Sequence, residues 1–395
     1  MRSCNEIENA KARLNRNFEK HDHDDDFLSK LESYILEGFE SNNYSRVCVE
    51  STEHLTKNEF IENYESLSIP LLIRNSTQDW PALINWNFDT LEKDFSQYEF
   101  MCGEDEQTYE PIMITMGNFL NYMKTNLDNN PLYLFDSTFY FDPICKRILK
   151  DFSVPQYFPT NPDQKFSSSL LPSPPPLPPL LSSSSSSSSS PSPSPSSSSS
   201  SLSSSSPSTL PLNEMHYDLL SYLGETRRPP YRWFLIGPQR SGSAVHKDPF
   251  GTSAWNTVVH GRKLWLLFPP ETLEIIVKDI ENENDDEDDE VELNILEPIH
   301  YFMSILPKLR RKHPTISIYL TFQESGDTMF VPSGWWHSVI NLTDTIAITQ
   351  NYCSWINFKT VFNEMNDDAA YDKERAMIWK QTLQEIFPQE VANWG

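Results

Sequence analysis

Cysteine is scarce in this 395-residue sequence, and the five present form no CxxC pair. Cys4, Cys48, Cys102, Cys145 and Cys353 are scattered and odd in number. That excludes a disulfide framework and a cysteine-built zinc site, and leaves reduced thiols of the cytosol or nucleus. No apolar run reaches the roughly 18 residues of a membrane span. The opening MRSCNEIENAKARLNRN lacks the apolar core of a secretory signal. The expectation is a soluble intracellular chain that makes no membrane contact. Positive charge is also short: 31 Lys and Arg face 56 Asp and Glu, a formal net charge of −25. This balance argues against generic nucleic-acid binding, which needs clustered Lys/Arg, and favours basic peptides as partners. Hydrophobic residues make up only 38%. The shortfall sits largely in one Ser/Pro tract, so the rest has ample material for a core.

What is present divides the chain into five stretches. Residues 1–50 hold one amphipathic helix: DDDFLSKLESYILEGFE sets Phe27, Leu28, Leu31, Tyr34 and Ile35 at helical spacing behind an acidic run. Residues 51–160 mix strands with helices. VCVES (at the boundary), IPLLIRN, YEFMCGED, EPIMITM and NPLYLFDS read as strands. TKNEFIENYESL reads as a helix with a capping box, Thr56 and Glu59, and MGNFLNYMKTN and DPICKRILKDF read as further helices. Residues 161–213 are, from about Phe166 to Leu212, Ser and Pro with a few Leu, including the unbroken serines Ser182 to Ser190. Such a segment buries too little surface to offset chain entropy and is predicted to be a disordered insertion. Residues 214–369 carry the densest β signal: YRWFLIG, TSAWNTVVHG, RKLWLLFPP, ISIYLTF, DTMFVPS, HSVINLT and TIAITQNY. An acidic tract, Glu281 to Glu292, interrupts them and reads as a solvated loop. Residues 370–395 read as a C-terminal helix, a packing or dimer element. The fold class expected is mainly β with flanking helices: a double-stranded β-helix of the jelly-roll or cupin type.

The chemistry concentrates in SGSAVHKDPFGTSAW. In a strand, residues i and i+2 share a face. His246 and Asp248 therefore project together, Lys247 turns away, and Pro249 ends the pairing near a strand end. His-x-Asp alone is a weak motif that also arises on surfaces. FVPSGWWHSVINL adds His337 behind a Pro332–Ser333–Gly334 turn, with Trp335 and Trp336 as expected pocket walls. His337 reads either as a satisfied core histidine or as the third member of a two-histidine, one-carboxylate triad, a set suited to Fe(II) with open positions for a co-substrate and O2. The helical HExxH signature of zinc hydrolases is absent. An iron oxygenase needs an electron source, and 2-oxoglutarate would require an interior cation for its far carboxylate. WNTVVHGRKLWLLF offers Arg262 and Lys263, which face opposite ways, and both faces are apolar, so periodicity does not choose between them. His21, His23, His54, His216, His260, His300 and His313 show no ligand spacing and read as structural or solvated.

At these residues the sequence resembles the JmjC family of Fe(II)- and 2-oxoglutarate-dependent oxygenases, most of all the branch described as bifunctional arginine demethylase and lysyl-hydroxylase. FMCGED, NPLYLFDS, RRPPYRWFLIGPQRSGSAVHKDPFGTSAWNTVVHGRKLW and VPSGWWHSVINLTDTIAITQN carry the likeness, from about Ile69 to Cys353. The resemblance makes the Ser/Pro tract an insertion within one catalytic unit. It implies His246, Asp248 and His337 as iron ligands. Lys263 and Thr349 would bind the far carboxylate of 2-oxoglutarate, with Tyr133, Asn256, Ser243 and Asn351 as further co-substrate or pocket residues. The chain departs from the family pattern at Ser243 (threonine there), Lys247 (apolar) and Ser333 (glycine). The implied activity is hydroxylation of protein lysyl side chains, with arginine or lysine N-demethylation beside it, giving succinate and CO2. The implied partners are basic Lys/Arg-rich protein segments, and the nucleus is favoured over the cytoplasm. Two other readings stay open: a JmjC-fold scaffold, and an oxygenase acting on RNA or a small molecule, for which LRRKH offers a local basic patch.

Overall fold

A computed structural model of the chain describes residues 2–14, 27–105, 107–161, 216–277, 297–365 and 373–392. The acidic tract, His21, His23 and nearly all of the Ser/Pro tract lie outside the described residues.

Helix α1 (Arg2–Leu14) and helix α2 (Phe27–Glu40) come first, the latter burying Leu31, Ile35 and Phe39 on its expected face. Strands β1 (Ser45–Arg46) and β2 (Cys48–Ser51) follow. Helix α3 (Lys57–Phe60) starts at the capping box, where Thr56 N donates to Glu59 Oε2 at 2.9 Å and Glu59 N to Thr56 Oγ1 at 3.3 Å. Next come β3 (Leu71–Arg74), α4 (Phe88–Phe95), β4 (Glu99–Glu104), β5 (Pro111–Thr115), α5 (Met116–Thr125) and β6 (Leu134–Asp136). The helix expected over DPICKRILKDF is a 3-10 turn, Cys145–Lys150. Its buried residues, Cys145 and Ile148, are three apart, which matches that tighter repeat. The second half supplies β7 (Arg232–Gly237), β8 (Gly242–His246), β9 (Ser253–His260), β10 (Lys263–Phe268), α6 (Leu306–Lys312), β11 (Tyr319–Gln323), β12 (Thr328–Val331), β13 (Trp336–Asn341) and β14 (Thr345–Tyr352). Helices α7 (Phe358–Glu364) and α8 (Lys373–Ile386) follow.

The strands form two facing sheets. One has the order β1-β11-β10-β13-β8 and the other β2-β3-β12-β9-β14-β7-β6, with β4 and β5 as a separate hairpin. No hydrogen-bonded ladder joins the two sheets among the described residues, so the expected barrel is open. Cross-strand register fixes which side chains face inward, because directly opposed residues share a face. Lys263, Trp265 and Leu267 stand opposite Asn341, Val339 and His337, and His337 stands opposite His246. On the other sheet Ala254, Asn256 and Val258 stand opposite Asn351, Thr349 and Ala347.

The alternate residues point outward and carry the main cores. Trp255, between Ala254 and Asn256, stacks on Phe158 with centroids 6.2 Å apart and meets Trp80 edge-on. Leu264, Leu266 and Ile340 pack beneath α2 and α6. Arg262 also falls on the outer side. Its guanidinium grips Glu32 of α2 with two bonds of 2.8 Å and Glu324 with one of 2.7 Å. The C-terminal helices α7 and α8 pack on Leu219, Leu220, Leu223 and Phe250, which makes them packing elements of this fold. The two ends of the Ser/Pro tract are held together: Thr160 and Tyr217 form a parallel bridge, with Asp218 N donating to Thr160 O at 3.0 Å. No helix among the described residues is long and apolar enough to cross a membrane.

Trp255 is fully buried against aromatic neighbours. Trp255→Ala is expected to cost about 3–5 kcal/mol of stability, measured as a lowered urea midpoint with an unchanged slope.

Candidate active site

Strand β8 ends at His246, and its two-residue period brings Asp248 to the same side. Strand β13 delivers His337 from the neighbouring position in the sheet. The two imidazole centroids are 4.2 Å apart. One donor atom from each of His246, Asp248 and His337 can be chosen so that all lie within 4.8 Å of one another.

The orientation of each group is set by a backbone partner. His246 Nδ1 lies 2.7 Å from Ala244 O, and His337 Nδ1 lies 3.2 Å from Trp335 O. Only an N–H can face a carbonyl oxygen in this way, so Nδ1 carries the proton and Nε2 is left as a lone-pair donor in both rings. Burial, with the neighbouring His246 adding to it, pushes the pKa of His337 down to about 4, which keeps the ring neutral. Asp248 Oδ1 stands 4.0 Å from His337 Nε2, beyond hydrogen-bonding reach, and Oδ2 is buried with no hydrogen-bond partner. A buried carboxylate oxygen left unpaired beside two free imidazole nitrogens is costly unless a cation joins them. The set fits a divalent metal held by two nitrogens and one oxygen.

Lys263 lies further inside, 1% exposed. Its Nζ donates to Tyr133 Oη at 3.4 Å, and no carboxylate pairs with it among the described residues. Burial drives its pKa down to about 7. An ammonium in that position fits an anionic ligand. Asn256 adds a buried, unpaired Oδ1. Tyr133, Ser241 and Asn341 crowd around Gly237, where an added Cβ would meet Tyr133 Cδ2 at 2.5 Å, Ser241 Oγ at 2.3 Å and Asn341 Nδ2 at 2.9 Å.

The other expected residues divide. Thr349 stands opposite Asn256 but spends its hydroxyl on Trp255 O at 2.9 Å. Asn351 donates to Thr252 Oγ1 at 3.0 Å, tying β14 to the turn after Asp248. Ser243 stands opposite Val339 on β8. Lys247 turns away as expected, with Nζ 4.7 Å from the centroid of Trp336. Trp335 walls the interior with Leu267 and Val331, but Trp336 does not. It follows the strand alternation to the outer side, packs in the α2–α6 core and donates to Thr272 O at 3.2 Å. Its expected place is taken by Trp265, stacked on His337 at 6.0 Å. Asn341 and Ser241 were not anticipated. Asn341 sits opposite Lys263, donates to Ser241 Oγ at 2.9 Å and leaves Oδ1 buried and unpaired. The signal for Asn341 was present, because it lies four residues beyond His337 on the same face.

Two facing sheets with a His-Asp-His donor set on one inner face define a cupin. The cupin-like domain family model matches residues 57–358. The chain belongs to the cupin-like domain family. Its relatives bear out the JmjC oxygenase resemblance within that family. It is 32% identical over 314 residues to "Bifunctional arginine demethylase and lysyl-hydroxylase psr-1" of Caenorhabditis elegans, covering 78% of this chain and 62% of that protein. It is 29% identical over 330 residues to "Lysine-specific demethylase JMJ21" of Arabidopsis thaliana, covering 84% of this chain and 28% of that one. It is 31% identical over 153 residues to the human "2-oxoglutarate and iron-dependent oxygenase JMJD4", covering 39% of this chain and 34% of that one. The chain thus spans less than two thirds of the length of these relatives.

Lys263 gives the ligand-free protein a signature in its stability. The depressed pKa means that the unfolded state binds more protons between about pH 7 and 10.5. Stability therefore rises with pH across that window, by up to about 1.4 kcal/mol per unit. Lys263→Met is expected to raise the melting temperature at pH 7 and to remove this rise, as measured by thermal melts from pH 7 to 10.

Proposed function

We propose that this protein is an Fe(II)- and 2-oxoglutarate-dependent oxygenase that acts on protein side chains, with lysyl hydroxylation as its main reaction. The observation that carries the reading is Lys263: a sealed ammonium without a carboxylate partner among the described residues, on the same inner face as three converging metal donors. His246, Asp248 and His337 would hold the iron. Lys263 and Tyr133 would take the far carboxylate of 2-oxoglutarate, with Asn256, Thr349 and Asn341 lining the space between. When bound, iron with 2-oxoglutarate and O2 supplies the oxidising power to place one oxygen atom on a C–H bond, with succinate and CO2 as co-products. The chain's own part is to keep the His337 imidazole neutral, to set the His246 and Asp248 donors beside it, and to wall the space with Trp265, Leu267, Val339 and Met329 so that water is excluded.

Hydroxylation is preferred over arginine or lysine N-demethylation because it needs no earlier mark on the substrate. The net charge of −25 supports basic Lys/Arg-rich segments as the substrates and disfavours RNA. A scaffold would need neither the donor set nor Lys263. In the same reading residues 51–160 and 214–369 form one catalytic unit around the inserted Ser/Pro tract, flanked by the N-terminal segment 1–50 and the C-terminal helix 370–395. The reading includes self-association through the C-terminal helices, and the family likeness supports residence in the nucleus.

The proposal is tested by succinate formation with lysine- and arginine-rich peptides. His246→Ala should abolish it, and equal turnover in both proteins would end the enzyme reading. Mass spectrometry of the peptides distinguishes a gained oxygen from a lost methyl group. Lys263→Ala should weaken 2-oxoglutarate binding about 10- to 150-fold, the worth of a charge-assisted hydrogen bond. Because the co-substrate carboxylate needs the protonated lysine, the apparent Kd should rise about tenfold per pH unit above about 7. Calorimetric titration across pH 6.5–9 measures it.

A further inference from the structure

Asp248 is followed by a tight turn. Thr252 N donates to Pro249 O at 3.1 Å, and the two residues between them are both left-handed: Phe250 has φ 56° and ψ 20°, and Gly251 has φ 60°. Positive φ at both central residues is the mark of a type I′ turn, in which each of the two positions favours Gly, Asn or Asp. Gly251 meets this demand, and it also gives room: a Cβ there would come within 2.7 Å of Glu364 Oε2 and 2.8 Å of Thr360 Cγ2 on α7. Phe250 does not meet it. A bulky side chain at positive φ is an outlier that persists only where its surroundings over-determine it.

The surroundings are the C-terminal helices. The Phe250 ring is 3% exposed and meets Trp379 of α8 edge-on, centroids 5.8 Å apart, within a cluster that includes Phe358, Val361 and Phe362 of α7. Trp379 is held in turn by its indole N–H, which donates to Arg227 O at 2.6 Å. On its other side the turn is tied to the segment that leads into β13: Ser333 Oγ donates to Gly251 O at 2.5 Å. The ring is therefore a peg, and its socket holds the backbone in a conformation that phenylalanine disfavours.

We infer that Phe250 and Trp379 are positioning residues for the metal site: docking of α8 holds the turn that aims the Asp248 carboxylate, so metal affinity depends on a helix that contributes no ligand. Without the socket, the turn relaxes toward negative φ and carries Asp248, two residues upstream, out of line with His246 and His337. The inference rests on the reading of those three residues as metal ligands.

Titration with Mn(II), followed by the loss of its free-ion electron paramagnetic resonance signal, provides the test. Phe250→Ala and Phe250→Gly both remove the peg, but only alanine retains the left-handed penalty. Alanine should weaken Mn(II) binding about five- to thirtyfold, the factor to which that penalty converts. Glycine, and likewise Phe250→Asn, should stay within about threefold of the wild type. Trp379→Ala should behave as Phe250→Ala does, and adding Phe250→Gly to it should restore affinity. Circular dichroism confirms that each variant is folded. Equal loss in the alanine and glycine variants, or loss in neither, overturns the inference. Wild-type protein that takes up no Mn(II), or a His337→Ala variant that binds it as well as wild type, overturns instead the ligand reading beneath it.

Discussion

Lys263 sits buried between two sheets, and an ammonium sealed there raises the free energy of the folded state until an anion joins it. The surrounding arrangement follows from that cost. The strand that carries Lys263 inward must carry Arg262 outward, and the outward cation is neutralised at once by Glu32 and Glu324. Among the described residues, the groups beside the inward one are neutral: the Tyr133 hydroxyl and the Asn341 amide opposite it, with Asn341 leaving an oxygen unpaired. A protein carboxylate at this position would satisfy the lysine and close the site to any other acid. Leaving it out trades stability for selectivity toward an incoming anion.

The two faces of each strand divide the work. Outward residues such as Trp255, Leu264 and Leu266 bind the sheets to the helical layers, and inward residues one step away make the site. Because the period is two, each strand serves both purposes without conflict. The aromatic core beneath the larger sheet, where Trp80, Phe158, Phe330 and Tyr352 meet, fixes the strand positions that the inner side chains inherit.

That period also explains what could be read from the chain. His246, Asp248 and His337 followed from alternation and neighbouring turns, and alternation was equally sufficient for Asn341. The choice between Lys263 and Arg262 was not available locally. It is made by Glu32, a residue of α2 far away in sequence, and only tertiary contact reveals which side α2 covers. Trp336 was misplaced because adjacent tryptophans on a strand cannot both face the interior. The left-handed Phe250 could not be foreseen, since phenylalanine is no turn former and its conformation is set by α8 from more than a hundred residues downstream. The helix over Cys145–Lys150 was right in place and wrong in type, because a spacing of three or four suits either helix over so short a run.

The bridge between Thr160 and Tyr217 has a consequence for how such a chain can change over time. It pins the departure and return of the intervening residues to one point on the fold, so their number does not alter the register of any strand. Closing a connection costs free energy only with the logarithm of its length, about 0.6 kcal/mol for each doubling. Replication slippage in a serine-rich stretch can therefore lengthen or shorten it at almost no thermodynamic penalty. The bridge makes this a place where the chain can change in length while the strands of both sheets keep their register.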